Sequence, residues 1–394
     1  MTQTATSTLF IIAPFRSSSP GSRRPTLLRL WTLIAWIWLA TGIAHAGGGS
    51  DYITLDEFTR IHPEQTALMR EFAAQVEADN PPQLKAHTKP VRIAAVYPGK
   101  QQSDYWRRTM QALKLRLERL GLTYQLDQHT FSLNASIERQ QQAINEALKE
   151  DPDYLILTLD DPRQQRMIEQ LLARTRPKII LLNITTPVKD WASHQPLLYS
   201  GFDHILGTQL LAKTLFQLPQ NHPQGRPHSI GLLYRKPGYV STMRGGTFAD
   251  IVHARGETLS ASYYTQSDAA SSRLAALRLI DQNPNLSIIF ASGTDVALGA
   301  IQAINEKGLS NKILVNGWGG GQNELKAILN KEMALTVMRM NDDSAIAIAD
   351  AISNDQRGQP VPRIYSGRFV VVTQQHSAEQ IRFFSDTAFR YSNP

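Results

Sequence analysis

The sequence predicts an α/β fold of two doubly wound lobes, each a parallel sheet with helices on both faces. Three observations carry this. The strand-like runs are short, apolar and free of polar alternation, as in VRIAAVY (91–97), YLILTL (154–159), KIILLN (178–183) and SIGLLY (229–234), which suits strands buried on both faces. Helix-length patterns separate them. The alternation stops at a polar, proline-containing stretch, 220–228, and then restarts, and 394 residues leave room for two such units.

Taken in order, the amino end comes first. Residues 30–43 (LWTLIAWIWLATGI) form an apolar run of 14 residues, preceded by arginines and followed by Ala44-His45-Ala46. A basic region, an apolar core and an A-x-A site are the parts of a secretory signal peptide, and a membrane span needs about 20 residues. Residues 1–46 are therefore expected to be a signal peptide cleaved after about Ala46, with the mature protein exported to the periplasm. An uncleaved anchor is the alternative, and Arg23-Arg24 raises a twin-arginine route.

Residues 47–90 read as a helical strap. Phe58, Ile61, Leu68, Phe72 and Val76 give a broken apolar stripe, and Asn80-Pro81-Pro82 ends it. The first strand, 91–97, stops at Pro98-Gly99. A helix follows at 105–120, then a strand at 122–126, a helix at 135–150 and the strand at 154–159. Asp161 as N-cap and Pro162 at N1 open a helix over 162–176. After the strand at 178–183, helices are expected at 206–218, 243–255, 271–283, 295–307, 324–331 and 342–356. Strands are expected at 229–234, 259–264, 288–291, 313–316, 334–338 and 369–372. The amino-terminal lobe is expected to comprise 91–202 with 340–362, and the carboxy-terminal lobe 203–339 with 363–394.

Composition excludes several function classes. The formal charge of +7 falls to +3 without residues 1–46, which hold four arginines and no acid, leaving 37 basic against 34 acidic residues. That balance argues against nucleic acid as a partner. With no cysteine, thiol catalysis, thiolate-bound zinc and disulfides are all excluded. The sequence contains no G-x-S-x-G, H-E-x-x-H or P-loop, and its histidines are scattered singly, so neither catalytic nor metal-binding residues are assigned. Asp160-Asp161 and Asp342-Asp343 read as helix caps rather than acid/base pairs.

In a sheet of this kind, ligand groups sit just beyond the strand ends. Those positions hold Gln101, Ser103 and Trp106; Asn183 with Thr185 and Thr186; Tyr239 and Arg244; Thr294 and Asp295; Trp318 with Gly319–Gly321; and Arg339. Rings enclose a small cyclic ligand, amides and hydroxyls orient it, and the guanidinium forks suit an anion or dense acceptor oxygens. Each residue has another reading. Trp106 and Trp318 could be core, Asp295 a helix cap, and Arg339 a partner of Asp342 or Asp343. Their joint placement at strand ends favours a binding site.

This arrangement resembles the periplasmic binding proteins of the ribose-binding type, whose two lobes are joined by a hinge and close on a ligand. Two departures stand out. The carboxylate usual after the strand at 313–316 is absent from Gly317-Trp318-Gly319, and Arg339 replaces the glutamine common at the hinge. The sequence is more closely similar to the LuxP family of periplasmic receptors for autoinducer 2, from about Pro90 to Ser392. The strings are VYPG with SDYW (96–106), NITTPV (183–188), GFDH (201–204), TDVALGA (294–300), NGWGGG (316–321), TVMRMNDD (336–343) and FRYS (389–392). That resemblance implies a ligand containing boron, the furanosyl borate diester of autoinducer 2, no cofactor, and a membrane sensor histidine kinase of LuxQ type as partner. It implies that Gln101, Ser103, Asn183 and Thr294 hydrogen-bond the ligand and that Trp106, Trp318 and Asp295 line the site. Arg244 and Arg339 would neutralise the borate. Lys100 and Gln102 interrupt the family's Q-Q-V-S turn, and Gly293 replaces a serine. The alternative function is a sugar-binding protein of an ABC importer.

Overall fold

The computed structural model describes residues 51–79, 81, 89–132, 135–218, 228–310 and 312–393, which fall in one compact unit; the expected signal peptide lies outside them. In chain order the strands are β1 (Val91–Lys100), β2 (Tyr124–Ser132), β3 (Tyr154–Thr158), β4 (Lys178–Leu182), β5 (Leu198–Gly201), β6 (Ser229–Tyr234), β7 (Thr258–Tyr264), β8 (Ile288–Ala291), β9 (Leu314–Gly319), β10 (Leu335–Arg339), β11 (Ile364–Ser366) and β12 (Phe369–Thr373). They form two six-stranded sheets, ordered β11-β5-β4-β3-β1-β2 and β12-β10-β9-β8-β6-β7. The first is parallel throughout; the second is parallel except for β12, which runs antiparallel to β10. β3 is buried along its whole length, as its unbroken apolar sequence requires.

Several expectations are corrected. β1 runs through Pro98 and Gly99 to Lys100, with a register shift between Pro98 and Lys100. Pro98 is tolerated because β3 pairs only with Ile93–Val96, so β1 has a single neighbour at that point. The lead-in holds two helices, Leu55–Ile61 and Pro63–Glu77, because Pro63 takes the first position of a new helix. The expected helix at 243–255 opens with a π-helical turn, Ser241–Gly246, that carries Arg244. β5 and β11 leave no signal in the sequence, since runs of four and three residues are too short to show a period.

The border between lobes also moves. β11 pairs with β5 in the first sheet, so the chain enters the second sheet at β12 and not at residue 363. The helix Asn341–Gln356 packs on the helix Tyr105–Arg119 in the first lobe. The last residues return there too. The Tyr391 and Ser392 main-chain N–H groups donate to Asp342 Oδ2 at 2.8 and 2.7 Å, and Arg116 Nη1 donates to the Tyr391 hydroxyl at 2.8 Å. Asp342 and Asp343 are therefore not caps. Asp343 pairs with Arg390 at 2.9 Å, and the helix start has no side-chain cap.

Candidate functional site

A cavity of about 50 Å³ lies at the strand ends of both sheets, several times what one ordered water needs (~10–15 Å³). Gln101, Ser103, Trp106, Asn183, Arg244, Thr294, Asp295, Trp318 and Arg339 all line it. Sheet topology brings them together. In the first sheet the chain order reverses at β1/β3, and in the second at β6/β8. Side chains leaving strands at these switch points face the crevice. Tyr239 and Thr186 lie beside the cavity, bonded to each other at 2.8 Å, and do not line it.

The walls are aromatic. Trp106 stacks on Tyr97 at 5.6 Å and meets Tyr105 edge-on at 4.7 Å. Trp318 is 1% exposed, and its indole N–H donates to Thr208 Oγ1 at 3.1 Å. Both tryptophans thus serve core and site. Asp295 does not cap its helix, where Gly293 occupies that position; its carboxylate accepts the Ser103 N–H at 3.2 Å. Burial pushes the Asp295 carboxyl up, and Arg235 and the Gln102 and Ser103 amides pull it back.

The arginines set the electrostatics. Arg244 lies over Trp318 at 3.4 Å, donates through Nε to His204 Nδ1 at 3.2 Å and through Nη1 to Ser292 O at 3.1 Å. Because arginine can only donate, His204 Nδ1 is the acceptor and its Nε2 carries the proton toward Asn183 O, 3.2 Å away. Burial holds His204 well below its ordinary value, and Arg244 and Arg339 push the same way, so the ring stays neutral. Arg339, 6% exposed, lies over Tyr105 at 4.0 Å, and its buried Nε finds no acceptor among the described residues. It pairs with neither Asp342 nor Asp343. Burial lowers the basicity of both guanidinium groups, that of Arg244 strongly, with the charges of Arg339 and Arg235 adding to it.

The lobes meet around the cavity. Asp160, at the end of β3, accepts the Tyr239 N–H through its carbonyl at 2.8 Å and the Val240 N–H through its carboxylate at 3.3 Å. Gly238 makes this approach possible: its φ is +151°, and a Cβ there would lie 2.2 Å from Asp160 O.

Tyr105, Asp160 and Arg235 also line the cavity, and the strand-end reading omits Asp160 and Arg235. Asp160 reads as a cap in sequence, whereas in the structure Asp161 caps, with Gln164 completing the box. Arg235 directly follows β6, and that position was the available signal. Among the described residues no group of three or more His, Asp or Glu side chains could hold a metal ion, and no helix is long and apolar enough to cross a membrane.

Residues 93–360 match the family model described as periplasmic binding protein domain. The chain is 26% identical over 156 residues to the ribose import binding protein RbsB of Bacillus subtilis, covering 38% of this chain and 49% of that protein. It thus spans about half the length of that curated relative. Among solved structures it is similar to an ABC transporter solute-binding protein from Agrobacterium vitis with bound D-fucose (TM-score 0.65, 19% identity, 74% of this chain and 98% of that one). It is also similar to a periplasmic ribose ABC transporter protein from Conexibacter woesei (TM-score 0.62, 18% identity, 78% and 99%). With two parallel-sheet lobes, a cavity at their facing strand ends and a family match over most of its length, this chain belongs to the periplasmic binding protein domain family.

Proposed function

We propose that this protein is an exported binding protein that takes a small cyclic polyol of the sugar class into the cavity between its lobes. The carrying observation is the lining itself: aromatic walls from Tyr105, Trp106 and Trp318 surround the amides of Gln101 and Asn183, the hydroxyls of Ser103 and Thr294 and the carboxylate of Asp295. Rings cover the apolar faces of a cyclic polyol, and the polar groups match its hydroxyls. The relatives named for ribose import and for bound D-fucose support the same ligand class, and with it delivery to an ABC importer.

A second reading is favoured by charge. Arg244 and Arg339 converge on the cavity without an ion pair among the described residues, and a neutral sugar would leave them so, at a cost of several kcal/mol. The furanosyl borate diester of autoinducer 2 carries one negative charge and extra acceptor oxygens. With it comes a different output, to a sensor kinase of LuxQ type, as the LuxP resemblance implies. The relatives lean to the sugar carrier; the arginines lean to the borate ester.

Mass spectrometry and boron analysis of whatever co-purifies, followed by calorimetry of the autoinducer 2 precursor with and without borate, separate the two. Tighter binding with borate favours the receptor reading. Equal affinity at both boron levels, or tight binding of ribose, leaves the sugar carrier. No polyol binding at all overturns both.

A further inference from the structure

Arg235 has no part in either reading above. It leaves β6 at the switch point of the second sheet, and its main-chain N–H donates to Ser292 Oγ at 2.9 Å. Its side chain runs past Gly293, where a Cβ would lie 3.3 Å from Arg235 Cδ, tighter than ordinary contact. Arg235 lines the cavity, and its buried Nε has no acceptor among the described residues. Asp295 feels its charge but makes no ion pair with it, being turned toward the Ser103 amide. Three guanidinium groups, those of Arg235, Arg244 and Arg339, thus face two carboxylates, Asp160 and Asp295, each already bonded to a main-chain N–H. Glu324 lies behind the wall with its carboxylate taken by the Trp318 and Gly320 amides and the Thr336 hydroxyl.

We propose that Arg235 is a specificity-determining residue: it makes the cavity select a polyol bearing an anionic group over its neutral parent, and Gly293 gives its side chain the room to do so. The inference rests on the reading that the cavity binds a polyol. The physical reason lies in the fork. The Nε–H and one Nη–H of a guanidinium point in parallel at two oxygens of a carboxylate, phosphate or borate ester. A single hydroxyl engages only one of them and brings no charge, so a buried donor stays unmet.

Calorimetry with matched pairs tests this: galactose against galacturonate, ribose against ribose 5-phosphate, and the autoinducer 2 precursor without and with borate. One anionic member should bind at least about tenfold tighter than its neutral partner, and which one names the source of the charge. Arg235→Gln should abolish most of that preference, weakening the anionic member far more than the neutral one. Arg235→Lys should keep a part of it, and Gly293→Ser should lower it by crowding the side chain. Thermal unfolding verifies that each variant folds, and the lysine variant decides if the glutamine one does not. A charge preference that survives Arg235→Gln intact, or equal losses for neutral and anionic members, overturns the inference alone. Binding without regard to charge does the same. If no member of any pair binds, the polyol reading falls and the inference falls with it.

Discussion

Arg116 and Arg339 are both buried cations, yet the molecule treats them oppositely. Arg116 is 0% exposed and fully met: Nε and Nη2 grip the two oxygens of Asp350, each at 2.8 Å, and its remaining donors reach Ala78 O, Gln75 O and the Tyr391 hydroxyl. Arg339 is nearly as buried, has aromatic faces around it, and makes no ion pair among the described residues. The first arrangement ties the lead-in, the helix 105–119, the helix 341–356 and the carboxy-terminal residues into one lobe. The second leaves charge facing a cavity. A buried cation with a complete partner set holds structure together, whereas one with an incomplete set is waiting for something from outside.

The largest effect should come from breaking the complete set. Arg116→Ala strands the Asp350 carboxylate in the core and should cost about 3–5 kcal/mol in chemical denaturation. A loss below about 1 kcal/mol would show that the pair is not what holds this lobe.

Arg339→Met should do the reverse. Removing an unmet charge at similar volume should leave ligand-free stability unchanged or higher. The same variant should weaken an anionic ligand by roughly 10–150-fold, the loss of one charge-assisted hydrogen bond of about 1.5–3 kcal/mol. Calorimetry and thermal unfolding on one sample read both effects. A destabilised variant with undiminished binding would place Arg339 with Arg116.

Gly238→Ala probes closure. A methyl group 2.2 Å from Asp160 O must push the lobes apart or move the turn, so affinity should fall by about tenfold. Small-angle scattering at saturating ligand should show a less compact particle than the parent. An unchanged profile and affinity would mean that the contact contributes nothing to closing.

The smallest effect is a pH dependence. His204 is held well below 6.5 in the folded protein, by burial first and then by Arg244 and Arg339, while in the unfolded chain it titrates near 6.5. Acid is therefore bound preferentially by the unfolded chain. The contribution is complete above about 6.5 and is lost as pH falls below it, with a slope of at most about 1.4 kcal/mol per pH unit. Denaturation midpoints of the parent and His204→Gln between pH 7.5 and 5 check this; parallel curves would show that His204 does not remain neutral.

Apolar runs such as YLILTL and KIILLN determined the α/β class, because a strand covered on both faces accommodates so unbroken an apolar stretch. Strand-end position also picked out Gln101, Asn183, Thr294 and Arg339, since a parallel sheet sends its strand ends to one side. Tertiary structure alone decided the rest. The three residues of β11 carry no period, and only pairing with β5 assigns them to the first sheet. Asp342 and Asp343 look like caps until the carboxy-terminal residues, about fifty positions away, arrive to use them. Whether an arginine is met or unmet is likewise invisible in sequence. Arg116 and Arg235 carry the same side chain, and what separates them is which distant carboxylate, carbonyl or hydroxyl the fold brings within about 3 Å.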